Sequence, residues 1–164
     1  GLEFLGGQLR QGAGDGLDNR GSIWLSSSPD LIHWGCYRPV MQPGEVRWGS
    51  QKIGPTPPIK TDHGWLTIVH GVTRPCDGPH YHIGAVLLDL EEPWKIVGKT
   101  TSYLLTPKMD YETRGMVDNV VFPCGAIADF DQDRLRLYYG GADTCICLAT
   151  GSLSEVIQAC LDEI

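Results

Sequence analysis

The sequence predicts an all-β fold in which short antiparallel strands recur with a period of about sixty residues. Apolar runs of strand length alternate with Gly, Pro and Asp turn residues along the whole chain of 164 residues. Three similar strand segments are followed by Leu31, Leu90 and Leu153, which lie 59 and 63 residues apart. A repeat of this length is typical of the blades of a β-propeller. A β-sandwich is the alternative, because it uses the same kind of strands and turns.

Turn and capping residues set the boundaries of the individual elements. Gly64 can supply the positive φ that closes a hairpin across residues 62–64, and a second hairpin turns through 129–133. Ser152 can cap a helix over 152–161, because Glu155 follows three residues later and an apolar stripe starts at Leu153. The predicted strands are 22–27, 57–61, 65–72, 82–89, 120–128, 134–140 and 145–150.

Composition and charge narrow the range of functions. The chain is long enough for one hydrophobic core, so residues 1–164 are expected to form a single domain. A net charge of -7 without a Lys/Arg cluster excludes a nucleic-acid groove and favours neutral or polar small ligands. Neither an export signal nor a membrane-spanning apolar run is visible, which predicts a cytoplasmic protein. Because the chain starts at Gly1 without an initiator Met, we expect it to be part of a longer protein.

The six cysteines predict neither a metal site nor a disulfide framework. Their positions show no CxxC pair and no Cys/His spacing of the zinc-finger type. We therefore expect free thiols that are buried as small hydrophobic side chains. Cys145 and Cys147 lie two apart on one predicted strand, so they share a face and are poorly placed to bridge each other.

Two basic residues are candidates for an anion site. Lys52 precedes a Gly- and Pro-rich stretch that enters a strand, and such rigid backbone can hold an ammonium toward a concave site. His70 ends the following strand and precedes Gly71, which could put its imidazole at the rim of the same pocket. An ordinary exposed lysine and a packed strand histidine are the alternatives.

Two aromatic and acidic segments are candidates for a sugar site. One contains Tyr111, and the other ends a strand with Tyr138, Tyr139 and the carboxylate of Asp143. Sugars offer C–H faces to aromatic rings and hydroxyl donors to carboxylates, so this combination is typical of carbohydrate binding. Clusters at equivalent positions of successive blades would converge on the propeller axis.

Read together, these segments resemble glycoside hydrolase family 130, a family of β-mannoside phosphorylases and hydrolases. The resemblance runs from about residue 22 to the C-terminus, and it rests on the order and spacing of several motifs rather than on any single one. The matching segments are 23–25, 28–34, 52–54, 57–61, 64–66, 70–72, 84–90, 111–112, 119–125 and 138–143.

This resemblance implies a five-bladed β-propeller, of which the chain would hold the C-terminal half: about two complete blades, part of a third and a short C-terminal helix. It implies inverting cleavage of β-mannosidic bonds, in most members by inorganic phosphate as co-substrate, with no cofactor. Lys52 and His70 match the phosphate-contacting residues of the family. Asp143 matches a carboxylate on the mannosyl unit, and Tyr111 matches an aromatic residue near the sugar. Tyr139 is the further aromatic candidate for contact with the mannoside.

The catalytic part of the family pattern is missing from this chain. The general acid is an Asp in the first blades, upstream of this sequence, and a phosphate-clamping arginine would be Arg10 or Arg20. Alone, the chain is therefore expected to be inactive. Its unpaired sheet edges should also make it self-associate. A β-mannoside hydrolase and a non-catalytic carbohydrate-binding propeller are the alternatives.

Overall fold

Eleven β-strands and two short α-helices are seen in a computed structural model that describes residues 2–8 as backbone and residues 21–162 in full. A 3-10 turn covers Arg47–Gly49. Among the described residues, no helix has the length and apolar character needed to cross a bilayer. The elements are β1 (Leu2–Gln8), β2 (Ser22–Ser28), β3 (Gly35–Met41), β4 (Lys52–Pro55), β5 (Ile59–Thr61), β6 (Gly64–Thr73), β7 (His80–Leu88), β8 (Ile96–Lys99), α1 (Asp110–Thr113), β9 (Val121–Asp129), β10 (Arg134–Gly141), β11 (Cys145–Ser152) and α2 (Leu153–Leu161).

The strands form three consecutive antiparallel sheets, which confirms the all-β prediction. The first sheet has the order β1-β2-β3, the central sheet β4-β6-β7-β8, and the third β11-β10-β9. β5 also pairs with β6, in line with β4. Pro57 and Pro58 separate β4 from β5, because proline has no N–H to donate to the ladder. Within the described residues the sheets do not close into a ring.

The predicted sixty-residue repeat corresponds to strands in similar positions. In the central sheet, β7 is the third strand if β4 and β5 are counted as one, because β6 lies between them and β7. In the third sheet, β11 is likewise the third strand, after β9 and β10. Both groups are antiparallel meanders, in which each strand pairs with the next along the chain. The repeat seen in the sequence is therefore a repeat of three-strand units.

The central sheet is buried on both faces. Ile68 and Leu66 belong to a cluster that includes Leu137 and the α2 residue Ile157 on the side of the third sheet. Val69, which neighbours Ile68, faces the opposite cluster toward the first sheet. Because successive side chains of a strand point to opposite faces, the apolar run of β6 fills two cores at once.

Local turn and cap signals were confirmed, whereas short and irregular strands were not predicted. Gly64 has a φ of 144° at the β5–β6 turn, and the Ser152 hydroxyl accepts a hydrogen bond from the Glu155 N–H. Four strands lie outside the predicted set: β1, β3, β4 and β8. β4 and β8 have four residues each, and β3 carries a positive φ of 53° at Cys36 and pairs irregularly with β2. Short or bulged strands lack the alternation on which sequence-based prediction depends.

The cysteines are free, as predicted, but the expectation that all are buried was wrong. Cys160 is fully buried on the inner face of α2, whereas Cys36, Cys76 and Cys124 are exposed. Cys36 and Cys76 lie in or beside turns, where the chain is at the surface. Cys145 and Cys147 share one face of β11, with their sulfur atoms 3.6 Å apart.

The Trp48 ring packs on the central sheet over Gly71 and Gly84, where a larger residue in the sheet would not fit. A Cβ at Gly84 would lie 2.4 Å from the Trp48 ring, and a Cβ at Gly71 would lie 2.5 Å from it. The indole N–H donates a hydrogen bond of 3.0 Å to the Thr100 carbonyl, which fixes the ring in this position. The glycines of β6 and β7 therefore create the space for a buried aromatic anchor.

We expect Gly84→Ala to lower the free energy of unfolding by about 1–3 kcal/mol, because the added methyl group overpacks the core against Trp48. The matched control is Gly151→Ala on β11, where a Cβ would meet no atom within 4 Å. Urea denaturation of both variants measures the difference. Equal effects of the two substitutions would contradict this account of Trp48.

Candidate functional site

His70 lies near the end of β6, where the apolar face of the central sheet gives way to polar side chains. Its partner on β4 is Gly54, and a Cβ at Gly54 would lie 2.4 Å from the His70 Cε1 atom. The ring therefore lies directly over the glycine. The Phe122 ring packs against it with 4.5 Å between centroids, and the Tyr81 ring lies at 5.9 Å. These contacts leave His70 only 5% exposed.

The His70 Nε2 atom has no hydrogen-bond partner, the one such case among the buried side-chain nitrogens and oxygens that the structure describes. His82, on the opposite face of β7, provides a contrast. Its two ring nitrogens lie 2.9 Å from the hydroxyl oxygens of Thr73 and Thr106. Since an unpaired buried polar atom is costly, the orphaned nitrogen of His70 indicates a group that a ligand would complete.

Lys52 supplies positive charge beside this imidazole. The pairing of Lys52 with Val72, and of Gly54 with His70, puts the lysine and the histidine on the same face of the sheet. The Lys52 side chain is partly exposed and passes close to Gly21. Burial, together with the charge of Lys52, lowers the pKa of His70 to about 4. His70 is therefore neutral at physiological pH, and Lys52 is the cation of this end of the site.

Asp143 supplies negative charge at the other end of the site. It is exposed in the turn between β10 and β11, where Ala142 and Asp143 have positive φ values of 45° and 52°. Burial raises the pKa of the Tyr81 hydroxyl, and the negative charge of Asp143 raises it further. Tyr81 thus contacts the ring of His70 and feels the charge of Asp143.

The two tyrosines predicted to contact substrate differ in position. Tyr111 lies on α1, is exposed, and its backbone carbonyl oxygen packs against Gly141 at the start of the Asp143 turn. Tyr139 is only 4% exposed, and its hydroxyl donates a hydrogen bond of 2.6 Å to Glu112. Tyr111 is therefore available to a ligand, whereas Tyr139 packs in the core. Arg10 and Arg20 lie outside the described residues.

Three residues of the site were not singled out by sequence reasoning: Gly54, Tyr81 and Phe122. Each depends on which strands pair and in what register, and those contacts join residues far apart in the chain. A usable signal was the alternation on β4, which places Gly54 on the face of Lys52. No comparable local signal marks Tyr81 or Phe122.

The arrangement suits a ligand with an anionic part and a polyhydroxyl part. A lysine and a buried imidazole can donate hydrogen bonds to an anion, and a carboxylate beside aromatic rings can accept hydrogen bonds from a sugar. Among the described residues, no group of three or more His, Cys, Asp and Glu side chains is placed to hold a metal ion.

Comparison with known proteins identifies enzymes with related sequences. Over 139 residues the chain is 44% identical to a beta-1,4-mannooligosaccharide phosphorylase of Ruminococcus albus, covering 84% of this chain and 41% of that protein. It is 40% identical over 136 residues to a 1,2-beta-oligomannan phosphorylase of a Thermoanaerobacter species, covering 82% of this chain and 44% of that protein. The chain thus spans about two fifths of the length of these relatives.

A solved structure matches the fold over nearly the whole chain. The beta-1,2-mannobiose phosphorylase of Listeria innocua, in complex with beta-1,2-mannobiose, superimposes with a TM-score of 0.86 at 34% identity, covering 98% of this chain and 43% of that one. These three related proteins are all phosphorylases of mannose-containing saccharides. The profile of glycoside hydrolase family 130, described as beta-1,4-mannooligosaccharide phosphorylase, matches residues 15–162. The chain belongs to this family.

The lowered pKa of His70 predicts a specific loss of stability in acid. Between pH 6.5 and pH 4 the unfolded chain binds a proton at this histidine that the folded chain does not, so stability falls as pH falls through this range. From pH 7.5 to pH 5 the contribution is about 2 kcal/mol. We expect His70→Phe, which cannot titrate, to remove this part of the pH dependence, as measured by urea denaturation at both pH values.

The exposed His63 on the β5–β6 turn provides the matched control. His63→Phe makes the same replacement on the surface, away from the candidate site. If His70→Phe leaves the pH dependence of stability unchanged, the pKa of His70 is not lowered in the folded chain.

Proposed function

We propose that this chain forms the part of a β-mannoside phosphorylase that binds inorganic phosphate and the mannosyl unit of the substrate. The observation that carries the proposal is the buried His70 Nε2 atom without a partner, on the same sheet face as Lys52. A phosphate oxygen would accept a hydrogen bond from this nitrogen and face the lysine ammonium. Lys52 and His70 are the proposed phosphate contacts.

The proposed sugar contacts lie at the negative end of the site. Asp143 accepts hydrogen bonds from mannosyl hydroxyl groups, and Tyr111, Tyr81 and Phe122 provide aromatic surface. Tyr139 is left out of this set, because it is buried and its hydroxyl is already bonded to Glu112.

In the proposed reaction, phosphate attacks the anomeric carbon from the face opposite the leaving sugar, with inversion of configuration. The C1–O glycosidic bond breaks, a C1–O bond to phosphate forms, and mannose 1-phosphate is released. A general acid must protonate the leaving oxygen, and we propose that this is an Asp upstream of this chain. Phosphate is already anionic, so the site needs cations rather than a carboxylate base. The reaction needs no cofactor besides this co-substrate.

We further propose that the three sheets are consecutive blades of a five-bladed propeller and that residues 1–164 form the C-terminal part of one catalytic domain. The central sheet has the four-strand meander of a complete blade once β4 and β5 are taken as one interrupted strand. The third sheet has three strands, and α2 packs between it and the central sheet. The match to the Listeria innocua phosphorylase over 43% of that chain supports this assignment.

The test is an assay of the complete protein with phosphate and either β-1,4-mannobiose or β-1,2-mannobiose. Mannose 1-phosphate is the expected product with at least one of the two disaccharides. Release of mannose independent of phosphate would instead assign the protein as a hydrolase. Binding of mannoside without turnover would assign it as a carbohydrate-binding propeller.

Lys52→Ala in the complete protein should raise the KM for phosphate about tenfold or more, because one charge-assisted hydrogen bond is worth about 1.5–3 kcal/mol. The KM for the mannoside should change less than about twofold, a difference below about 0.5 kcal/mol. Lys60→Ala is the matched control, since Lys60 is exposed on β5 of the same sheet beside Trp65. Equal changes in the two KM values of Lys52→Ala would remove Lys52 from the phosphate site.

The isolated chain should self-associate through the outer face of the third sheet. Ile127, Tyr138, Ile146 and Leu148 are exposed and share this face, and Ile146 is 82% exposed. In a propeller this face would be covered by the next blade, and an open apolar sheet face favours association.

We expect size-exclusion chromatography of the isolated chain to show species larger than a monomer, and Ile146→Lys to shift the elution toward the monomer. Ile32→Lys is the control, because Ile32 is 76% exposed but lies in the β2–β3 turn of another sheet. A stable monomer of the unmodified chain would contradict self-association through the outer face of the third sheet.

A further inference from the structure

Glu112 is the only acidic side chain that is buried in the described part of the chain, at 2% exposure. Its Oε2 atom accepts hydrogen bonds from the N–H groups of Lys108 and Met109 at 2.8 and 2.9 Å, and its Oε1 atom accepts one from Tyr139 at 2.6 Å. Burial alone would raise the pKa of Glu112, but these hydrogen bonds lower it below its usual value. A charge buried and bonded in this way is strongly fixed in position.

This carboxylate anchors the segment between β8 and β9 to the core of the third sheet. Tyr139 comes from the middle of that core, while Lys108, Met109 and Glu112 come from the segment itself. The Glu112 carbonyl also accepts a hydrogen bond of 3.0 Å from the Val120 N–H, which joins α1 to the last residue before β9. Glu112 therefore holds the backbone of Lys108, Met109 and Val120 together around α1.

The anchored segment in turn holds the sugar side of the candidate site. The Asn119 carbonyl accepts a hydrogen bond of 3.0 Å from the Tyr81 N–H. Val120 accepts one of 2.9 Å from the Ala142 N–H, directly before Asp143. At the same turn, the Val117 N–H donates to the Ala142 carbonyl at 3.2 Å.

The phosphate side of the site is built differently. Lys52 and His70 lie on the paired strands β4 and β6 of the central sheet. None of the hydrogen bonds that Glu112 organises in the described chain reaches those two strands. A disturbance at Glu112 should therefore reach the two halves of the site unequally.

We propose that Glu112, clamped by Tyr139, is a positioning residue that sets the backbone of Tyr81 and of the Asp143 turn for binding of the mannosyl unit. This inference rests on the proposed function, and it adds a residue that does not itself touch substrate. Tyr139 acts with Glu112 by donating its hydroxyl hydrogen, which explains an aromatic residue with a polar tip in an otherwise apolar cluster.

The first test measures whether Glu112 holds the backbone of Tyr81 and of the Asp143 turn, and it does not require activity. In the complete protein, Glu112→Gln and Tyr139→Phe should each speed amide hydrogen exchange at Tyr81 and Ala142 by about tenfold or more, because the carbonyls that hold these N–H groups lose their anchor. Exchange at Ile68, in the middle of β6, should stay unchanged. Tyr139→Phe keeps the ring in the core, so it remains informative if Glu112→Gln does not fold.

The second test measures function in the complete protein. Both variants should raise the KM for mannobiose about tenfold and leave the KM for phosphate within about twofold, which a general loss of folding would not do. Asp133→Asn is the matched control: Asp133 also anchors a turn, accepting hydrogen bonds from Ser152 and Ser154, but at the opposite end of β10. Asp133→Asn should lower the free energy of unfolding, but it should not raise the KM for mannobiose more than the KM for phosphate.

The outcomes separate the two proposals. Unchanged exchange at Tyr81 and Ala142 in both variants overturns the link itself. Faster exchange with an equal rise of both KM values overturns its selectivity for the sugar side. If the complete wild-type protein neither binds nor cleaves mannobiose, the proposed function fails and the role of Glu112 in sugar binding fails with it.

Discussion

The pairing of β6 with β7 is the constraint on which the rest of the structure depends. Both strands are buried on both faces, so the position of each residue along the strand decides which of two cores it joins. A register slip of one residue would exchange the faces and place polar side chains in both cores. The candidate site lies where this two-sided burial ends: His70 and Tyr81 continue the face of Ile68, but with polar rings. The site is thus an extension of the core.

Much of the fold was predictable because its signals are local. The β5–β6 hairpin follows from one glycine with positive φ, and α2 follows from a serine cap and an apolar stripe. The segment 108–120 that contains α1 was not predictable in the same way. Its α-helix has only four residues, and its conformation depends on the hydrogen bond that Glu112 accepts from the distant Tyr139. Such tertiary contacts leave no periodic pattern in the sequence.

The candidate site was predictable only in part, for a related reason. Lys52, His70 and Asp143 were candidates from their local sequence and from the family resemblance, whereas Tyr81, which contacts the His70 ring and feels the charge of Asp143, was not. The pair Tyr138 and Tyr139 shows the limit of composition as a guide. Both are aromatic, but alternation along β10 points Tyr138 outward and Tyr139 into the core. Which of two neighbouring tyrosines can meet a ligand is decided by the face of the sheet.

The protonation state of His70 explains how a cation and a histidine share one small site. Two cations on the same face would repel each other in a buried environment, and the lowered pKa of His70 removes that repulsion by keeping the imidazole neutral. A neutral imidazole still has one N–H to donate, so it can bind an anion without adding charge. An anion that enters would compensate the charge of Lys52 and raise the pKa of His70 toward its usual value. In the proposed phosphate site, the positive charge of Lys52 would thus act beside a neutral donor that becomes easier to protonate when the anion binds.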